Sequence, residues 1–196
     1  FDKELAANIN LTLDTLPRYC HKSYLLRYCM LYIYGGVYLD CDLKLLQPIS
    51  TFLNKDVTFF TSFGRGAEQF ICTTTKGDKI IDKIMANGII ASTKNNKILL
   101  ELIHFCIKNP VDDNPINRGA YISSLYNVLT KYCLPNIKPF TFFRYNNEVI
   151  YLITQYNTTS HGNNCFIDKD DNVLIDINSP EYSFKRQTSS FLINSE

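Results

Sequence analysis

The sequence predicts a single α/β domain in which helices flank a central mixed sheet. The 196 residues are 45% hydrophobic and 20% charged, which suits one domain with a sizeable core. Helical and strand-like segments alternate along the chain, and the strands of the last third look antiparallel. We therefore expect one domain over residues 1–196, built in three layers.

The first strong helix prediction covers residues 17–34, "PRYCHKSYLLRYCMLYIY". Its apolar residues recur at helical spacing, Pro17 suits a first turn, and Gly35-Gly36 suits the end of the helix. A short buried strand from Val37 to Asp40 is expected to follow.

The rest of the chain divides by composition and spacing. Segments rich in aromatic and β-branched residues predict strands, and apolar segments with helical spacing predict helices. A polar loop over residues 155–171 separates the last two strands. The expected strands are 57–63, 69–75, 148–154 and 172–177, and the expected helices are 78–91, 95–108 and about 120–133.

Charge and cysteine usage limit the possible partners and compartments. A formal net charge of +1 gives no global electrostatic field that would attract nucleic acid. The sequence contains no run of about 18 apolar residues, so no membrane span is predicted. Seven cysteines without a CxxC pair indicate free thiols, so we expect the cytoplasm, or the Golgi lumen if a membrane anchor was removed. The chain starts at Phe1, which leaves open a missing upstream segment.

Two aspartates follow the first predicted strand in "YGGVYLDCD", residues 34–42. In an extended chain Asp40 and Asp42 project to the same face, where they repel unless a cation lies beside them. Carboxylate oxygens suit Mg²⁺ or Mn²⁺, whose shell is completed by water and phosphate oxygens. The spacing favours a metal site that binds a diphosphate, although solvated strand-end residues stay an alternative.

The wider stretch "HKSYLLRYCMLYIYGGVYLDCDLKLLQPI", residues 21–49, resembles the signature of the DXD glycosyltransferases of family 32. That family includes fungal α-mannosyltransferases and is related to the clostridial glucosylating toxins. Residues 68–85 are similar to a family segment in which a strand is followed by a helix. Farther along, the family usually has a Gly-Pro motif before another helix, and in this chain Ala120 stands in place of that proline. The matching signature positions are Ser23, Arg27, Tyr28, Leu31, Tyr32, Gly35, Gly36, Tyr38, Asp40 and Asp42.

The resemblance implies a GT-A-like fold and a metal-dependent glycosyltransferase. The donor would be a nucleoside diphosphate sugar with UDP or GDP, the acceptor a glycan or protein hydroxyl, and transfer would retain the anomeric configuration. Asp40 and Asp42 would bind Mn²⁺ or Mg²⁺, and Asp40 and Arg27 would be catalytic residues that contact the donor. Because only about 40 residues precede Asp42, the family's first nucleotide-binding strands either precede Phe1 or are arranged differently.

Further candidates come from single positions. Tyr24 stands where relatives carry an aspartate associated with the donor sugar, so the resemblance implies a changed donor or lost activity. Gln69 lies where relatives often carry a polar residue, and Arg118 lies in a glycine-containing loop that can approach phosphate. His161, in a polar loop, is a candidate third metal ligand. The donor-binding candidates are Asp40, Arg27, Tyr24, Gln69 and Arg118.

Two other functions stay open. With Tyr24 in place of the acid, the same fold could bind a nucleotide sugar or glycan without transfer. The run "VYLDCDLK" also resembles the first motif of haloacid-dehalogenase phosphatases, whose first aspartate is a nucleophile. Lys44 stands where that motif expects Thr or Val, so the phosphatase is the weaker alternative.

Overall fold

The computed structural model describes residues 1–41, 43–63, 70–73, 79–82, 85–110, 120–133, 140–157, 164–167, 169–170 and 173–176. These form four helices, a short 3-10 helix at Ile49–Thr51 and ten strands. The helices are α1 Lys3–Thr15, α2 Tyr19–Tyr34, α3 Lys97–Lys108 and α4 Ala120–Cys133. The strands are β1 Gly36–Leu39, β2 Lys44–Leu45, β3 Phe59–Phe63, β4 Phe70–Thr73, β5 Lys79–Asp82, β6 Met85–Ser92, β7 Thr141–Tyr145, β8 Glu148–Asn157, β9 Asn164–Ile167 and β10 Val173–Asp176.

Eight of the described strands form one mixed sheet. Its order is β1-β6-β3-β8-β9-β10-β2, and β7 also pairs with β8. The pair β3·β8 is parallel, and the other pairs of this sheet are antiparallel. Strands β4 and β5 form a separate two-stranded sheet.

Alternation along the central strands divides the core between the two faces of the large sheet. Phe59 and Ile90 pack with buried residues of all four helices, whereas Phe60, Ile89 and Tyr151 pack on the opposite face. The second face is covered by side chains near the 3-10 helix and of nearby loops. Within the described residues the helices thus lie on one side of the sheet, which differs from the three layers that the sequence predicts.

Two glycines connect α2 to the edge strand β1. Gly35 ends the helix with φ 67°, and its N–H donates to the Leu31 carbonyl at 2.8 Å. Gly36 follows with φ 99°, a conformation that L-residues adopt only at a cost. The prediction of this helix and its end is confirmed, although the helix begins at Tyr19 and Pro17 lies before it.

The predicted helix over residues 78–91 is wrong. This region contains β5 and β6, and β6 is a central strand that pairs with β1 on one side and β3 on the other. Its Ile89 and Ile90 are fully buried on opposite faces, which suits a strand with core on both sides. Pairing with strands distant in sequence therefore overrides the local helical pattern. Over residues 68–85 the resemblance predicts a strand followed by a helix, whereas the described residues form the strands β4 and β5.

The remaining element predictions agree with the structure, with two exceptions. The helices over 95–108 and 120–133 and the strands near 57–63, 69–75, 148–154 and 172–177 are confirmed by α3, α4, β3, β4, β8 and β10. The polar segment 155–171 contains an unpredicted strand, β9. Strand β1 is not buried as expected, because it lies at the sheet edge and Val37 is 40% exposed.

Five cysteines are free thiols in the described part of the chain, three of them buried. Burial raises the pKa of the Cys29 thiol to about 12. No helix in the described ranges combines the length and apolar character needed to cross a bilayer.

Replacing Gly35 should destabilise the fold more than replacing Gly36. An alanine Cβ at position 35 would lie 2.8 Å from the Lys94 backbone nitrogen, whereas nothing lies within 4 Å of a Cβ at position 36. Both substitutions carry the strain of positive φ, but only Gly35→Ala adds a backbone clash. We expect Gly35→Ala to lower the free energy of unfolding by ~1–3 kcal/mol more than Gly36→Ala does, as measured by urea denaturation. Equal losses would contradict this close approach.

Candidate functional site

Asp40 stands where the edge strand β1 ends and the chain turns. Its backbone N–H donates to the Gly88 carbonyl of β6 at 2.8 Å, and its carbonyl accepts from the Leu43 N–H at 3.0 Å. The side chain is 37% exposed. The neighbouring strand and the turn therefore fix the backbone of a carboxylate that solvent can reach.

Arg27 brings a buried positive charge to this carboxylate. Helix α2 places the Arg27 Nη2 3.2 Å from Asp40 Oδ1, and the arginine side chain is only 4% exposed. A guanidinium removed from water is stable only when paired and hydrogen-bonded. Asp40 therefore compensates a charge inside the protein while part of its own side chain faces outward.

Ser23 and Tyr38 complete a ring of four side chains around this ion pair. Arg27 Nη2 donates to Ser23 Oγ at 3.2 Å, and Tyr38 Oη donates to Asp40 Oδ1 at 2.7 Å. Burial raises the pKa of the Tyr38 phenol and the Ser23 hydroxyl partly lowers it, so the Ser23 and Tyr38 side chains lie close together. Ser23 and Arg27 lie one helical turn apart, and Tyr38 and Asp40 lie two residues apart in an extended chain, so each pair shares a face.

Two tyrosine rings contact the Arg27 guanidinium. Its carbon lies 4.2 Å from the ring centroid of Tyr38 and 4.9 Å from that of Tyr24, both within cation–π range. Burial raises the pKa of Tyr24. Burial and the hydrogen bond to Asp40 raise the pKa of Tyr38 to about 12. Both phenols are therefore neutral hydrogen-bonding groups at physiological pH.

Gly88 provides the space for the second carboxylate oxygen. A Cβ at position 88 would lie 2.8 Å from Asp40 Oδ2, so this arrangement of the carboxylate requires glycine there. Gly88 was not among the predicted site residues, because residues 78–91 were predicted to form a helix. A lone glycine directly before the β-branched pair Ile89-Ile90 is the signal that could have indicated it, since glycines in strands mark close approach.

The chemistry of Asp40 fits one ligand of a hard divalent cation. The contacts that Asp40 makes with Arg27 and Tyr38 fall on Oδ1, while Oδ2 lies over Gly88. A carboxylate oxygen is the ligand type that Mg²⁺ and Mn²⁺ prefer. Among the residues that the structure describes, no group of three His, Cys, Asp or Glu side chains is placed to hold a metal ion.

The structure brings together three of the predicted site residues. Arg27 contacts both of the others: its guanidinium pairs with the Asp40 carboxylate and lies over the Tyr24 ring. The guanidinium therefore faces Asp40 and not the position expected for a donor. The other candidates fall outside the described residues, so their placement stays a prediction. They are Asp42, Gln69, Arg118 and His161.

Comparison with known proteins agrees with this site. Residues 1–59 match the family model of the glycosyltransferase sugar-binding region containing DXD motif. The matched segment contains α1, α2, β1 and the complete ring of Ser23, Arg27, Tyr38 and Asp40. It covers less than a third of the 196 residues, and no curated protein matches the chain significantly. The match supports a glycosyltransferase-type, sugar-binding function.

The phenol of Tyr38 should titrate near pH 12, above the ordinary pKa of 10.0. Because the folded pKa is above the unfolded pKa, this group stabilises the fold fully below about pH 10 and loses that contribution as pH rises towards about 12. Carbon-13 NMR of labelled tyrosine, assigned with Tyr38→Phe, measures the midpoint. Asp40→Asn should lower it by removing the carboxylate that accepts the hydrogen bond. A midpoint near 10 in the unmodified protein would contradict the observed contact.

Proposed function

We propose that this protein is a metal-dependent glycosyltransferase with a GT-A-like fold, which moves a sugar from a nucleoside diphosphate sugar to an acceptor hydroxyl. The observation that carries the proposal is Asp40, whose Oδ1 is fixed by Arg27 and Tyr38 while Oδ2 lies over Gly88. The matched sugar-binding region over residues 1–59 contains this site and supports the same function.

In this proposal Asp40 binds the metal and contacts the donor, and Arg27 positions Asp40. Arg27 is 5% exposed and is hydrogen-bonded to Ser23, so its charge acts on a ligand through the carboxylate. Fixing one oxygen reduces the rotamer freedom that the carboxylate would otherwise lose on binding. The ring of Ser23, Arg27, Tyr38 and Asp40 therefore prepares the site before the donor arrives.

Asp42 and His161 are the proposed further metal ligands, and Tyr24, Gln69 and Arg118 the proposed donor contacts. Bound Mn²⁺ or Mg²⁺ would neutralise the negative charge that develops on the diphosphate as the glycosyl bond breaks. On the basis of the sequence resemblance we also propose that the protein belongs to family 32 and that transfer retains the anomeric configuration. The free thiols of the described cysteines support our proposal of a cytoplasmic location.

One feature favours a second candidate, a nucleotide-sugar or glycan-binding module without transfer. At position 24 the chain carries a half-buried phenol over Arg27, where the resemblance predicts a carboxylate. A phenol can hydrogen-bond one sugar hydroxyl but supplies no negative charge for an electron-poor anomeric carbon. Tyr24 therefore changes the donor or removes turnover while binding remains.

Donor binding that depends on Mn²⁺ tests the proposal directly. UDP- and GDP-sugars should raise the melting temperature by several degrees with Mn²⁺ present and not without it, because a ligand that binds only the native state stabilises it. Asp40→Asn and Asp42→Ala should each remove this shift. Asp14→Asn, an exposed acid on α1, is the matched control and should retain it.

The products distinguish the candidate functions. Transfer of sugar to an acceptor, with the anomeric configuration read by NMR, supports the transferase. Metal-dependent binding without turnover identifies the binding module, and cleavage of simple phosphate esters identifies the phosphatase. If no nucleotide sugar shifts the melting temperature with Mn²⁺, the proposal is wrong.

Gly88→Ala should weaken metal-dependent donor binding without unfolding the protein. The new Cβ would meet Asp40 Oδ2 at 2.8 Å and displace the carboxylate. We expect roughly a tenfold loss of affinity for the Mn²⁺–donor pair, about 1.4 kcal/mol, as measured by calorimetric titration. Thermal unfolding without ligand provides the folding control. Unchanged affinity would show that Oδ2 takes no part in binding.

A further inference from the structure

A surface groove lies on the sheet face opposite the helices, away from Asp40. Its volume is about 710 Å³, and its lining includes residues of β7 and β8 and residues 50–55, which begin within the 3-10 helix and continue past its end. Nothing in the Asp40 site uses these residues.

An exposed aromatic ring forms the floor of this groove. Phe142 is 52% exposed, and its ring stacks on the buried Tyr151 with centroids 4.3 Å apart and planes 16° apart. Because one face of Phe142 rests on Tyr151, the exposed part includes the other face. Stacking also holds the ring in one orientation, so a flat ligand face meets a fixed apolar surface.

Phe140, at the end of the groove, adds a strained backbone. Its φ is 58°, a left-handed conformation that is unfavourable for a bulky residue, and its N–H donates to the Leu152 carbonyl at 2.6 Å. Such strain persists where the surrounding structure holds it and concentrates at ligand sites. The aromatic lining is therefore held in place at both Phe140 and Phe142.

The rim of the groove is polar. Thr51, Asn54 and Lys55 are exposed along one wall. Thr51 Oγ1 donates to the Pro48 carbonyl and Asn54 Oδ1 accepts from the Asp56 N–H, so the wall offers a ligand the hydroxyl oxygen as acceptor and the amide and ammonium N–H groups as donors. Lys169 and Asp170, an ion pair at 2.9 Å, add one charge of each sign to the lining. An aromatic floor with mixed, nearly neutral hydrogen-bonding groups suits a ligand with an apolar face and many hydroxyls.

A sugar ring has this combination, since its C–H groups form an apolar face and its hydroxyls radiate around the edge. The wall over residues 50–55 also belongs to the segment that matches the sugar-binding region. The side chains of a hydrophobic peptide would offer no hydrogen-bond partner to the Lys55 ammonium group or to the amide N–H groups of Asn54, which is costly when the groove is covered. The side chains therefore favour a carbohydrate over an apolar protein segment.

We propose that this groove binds an oligosaccharide and, resting on the proposed transferase function, that it anchors the acceptor glycan. Phe142 lies on β7, four strand spacings or roughly 19 Å across the sheet from β1, and on the face opposite helix α2, which carries Arg27. The groove therefore contacts a part of the acceptor remote from the reacting hydroxyl. Remote contacts of this kind raise the affinity for long acceptors without changing the chemical step.

Binding is tested without donor or metal, using linear hexasaccharides of glucose, mannose and N-acetylglucosamine. At least one should show saturation transfer by NMR and a calorimetric affinity that falls about tenfold or more in Phe142→Ala. Lys55→Ala, at the exposed rim, should also weaken binding and does not disturb the stacked pair. Tyr145→Ala is the matched control: Tyr145 is an exposed aromatic residue of the same strand, β7, but it does not line the groove. This variant should bind the hexasaccharides as the unmodified protein does.

The results separate this inference from the proposed function. Hexasaccharide binding that depends on Phe142 supports the groove even if no nucleotide sugar binds, in which case the transferase proposal falls alone. The proposed sugar site is wrong if none of the three hexasaccharides binds at millimolar concentration. It is also wrong if Phe142→Ala and Tyr145→Ala lose the same amount of hexasaccharide affinity. If transfer is observed, Phe142→Ala should raise KM for a hexasaccharide acceptor and leave kcat and monosaccharide acceptors unchanged.

Discussion

The contact between Arg27 and Asp40 is the constraint on which the rest of the site depends. A guanidinium that is 4% exposed requires an anion, and Asp40 supplies one at 3.2 Å. The contact joins α2 to the end of β1, and the two residues with positive φ at Gly35 and Gly36 let the chain turn sharply between them. The turn at Gly35 and Gly36 therefore brings Arg27 and Asp40 together, and their ion pair in turn holds α2 against the end of β1.

This constraint also gives Asp40 two different oxygens. Oδ1 accepts from Arg27 and Tyr38, while Oδ2 lies over Gly88. A carboxylate that neutralises a buried charge has a fixed position, and a fixed position lowers the entropic cost of binding a cation or a sugar hydroxyl. Structural and ligand-binding roles are thus combined in one side chain, so the loss of Asp40 should disturb packing as well as binding. Gly88 is part of this arrangement too, because a Cβ at position 88 would lie 2.8 Å from Oδ2.

Local signals predicted much of the fold and part of the site. The glycine pair predicted the end of α2, and the spacing of two carboxylates singled out Asp40, because both signals lie within a few residues. The helix predicted over 78–91 failed because β6 is defined by its partners β1 and β3, which lie far away in sequence. Gly88 could not be assigned to Asp40 without that pairing, and Ser23 and Tyr38 appeared in the signature without a visible contact. The aromatic groove was missed for the same reason, since Phe142 and Tyr151 meet only after β7 pairs with β8.

A crystal structure with Mn²⁺ and UDP or GDP, phased to locate the manganese by its anomalous signal, tests the central claim most directly. We expect manganese bonded directly to Asp40 Oδ2, with Oδ1 still in contact with Arg27 and Tyr38, and the diphosphate oxygens on the same ion. Manganese absent from Asp40, or bound only after Arg27 has left Oδ1, would contradict it.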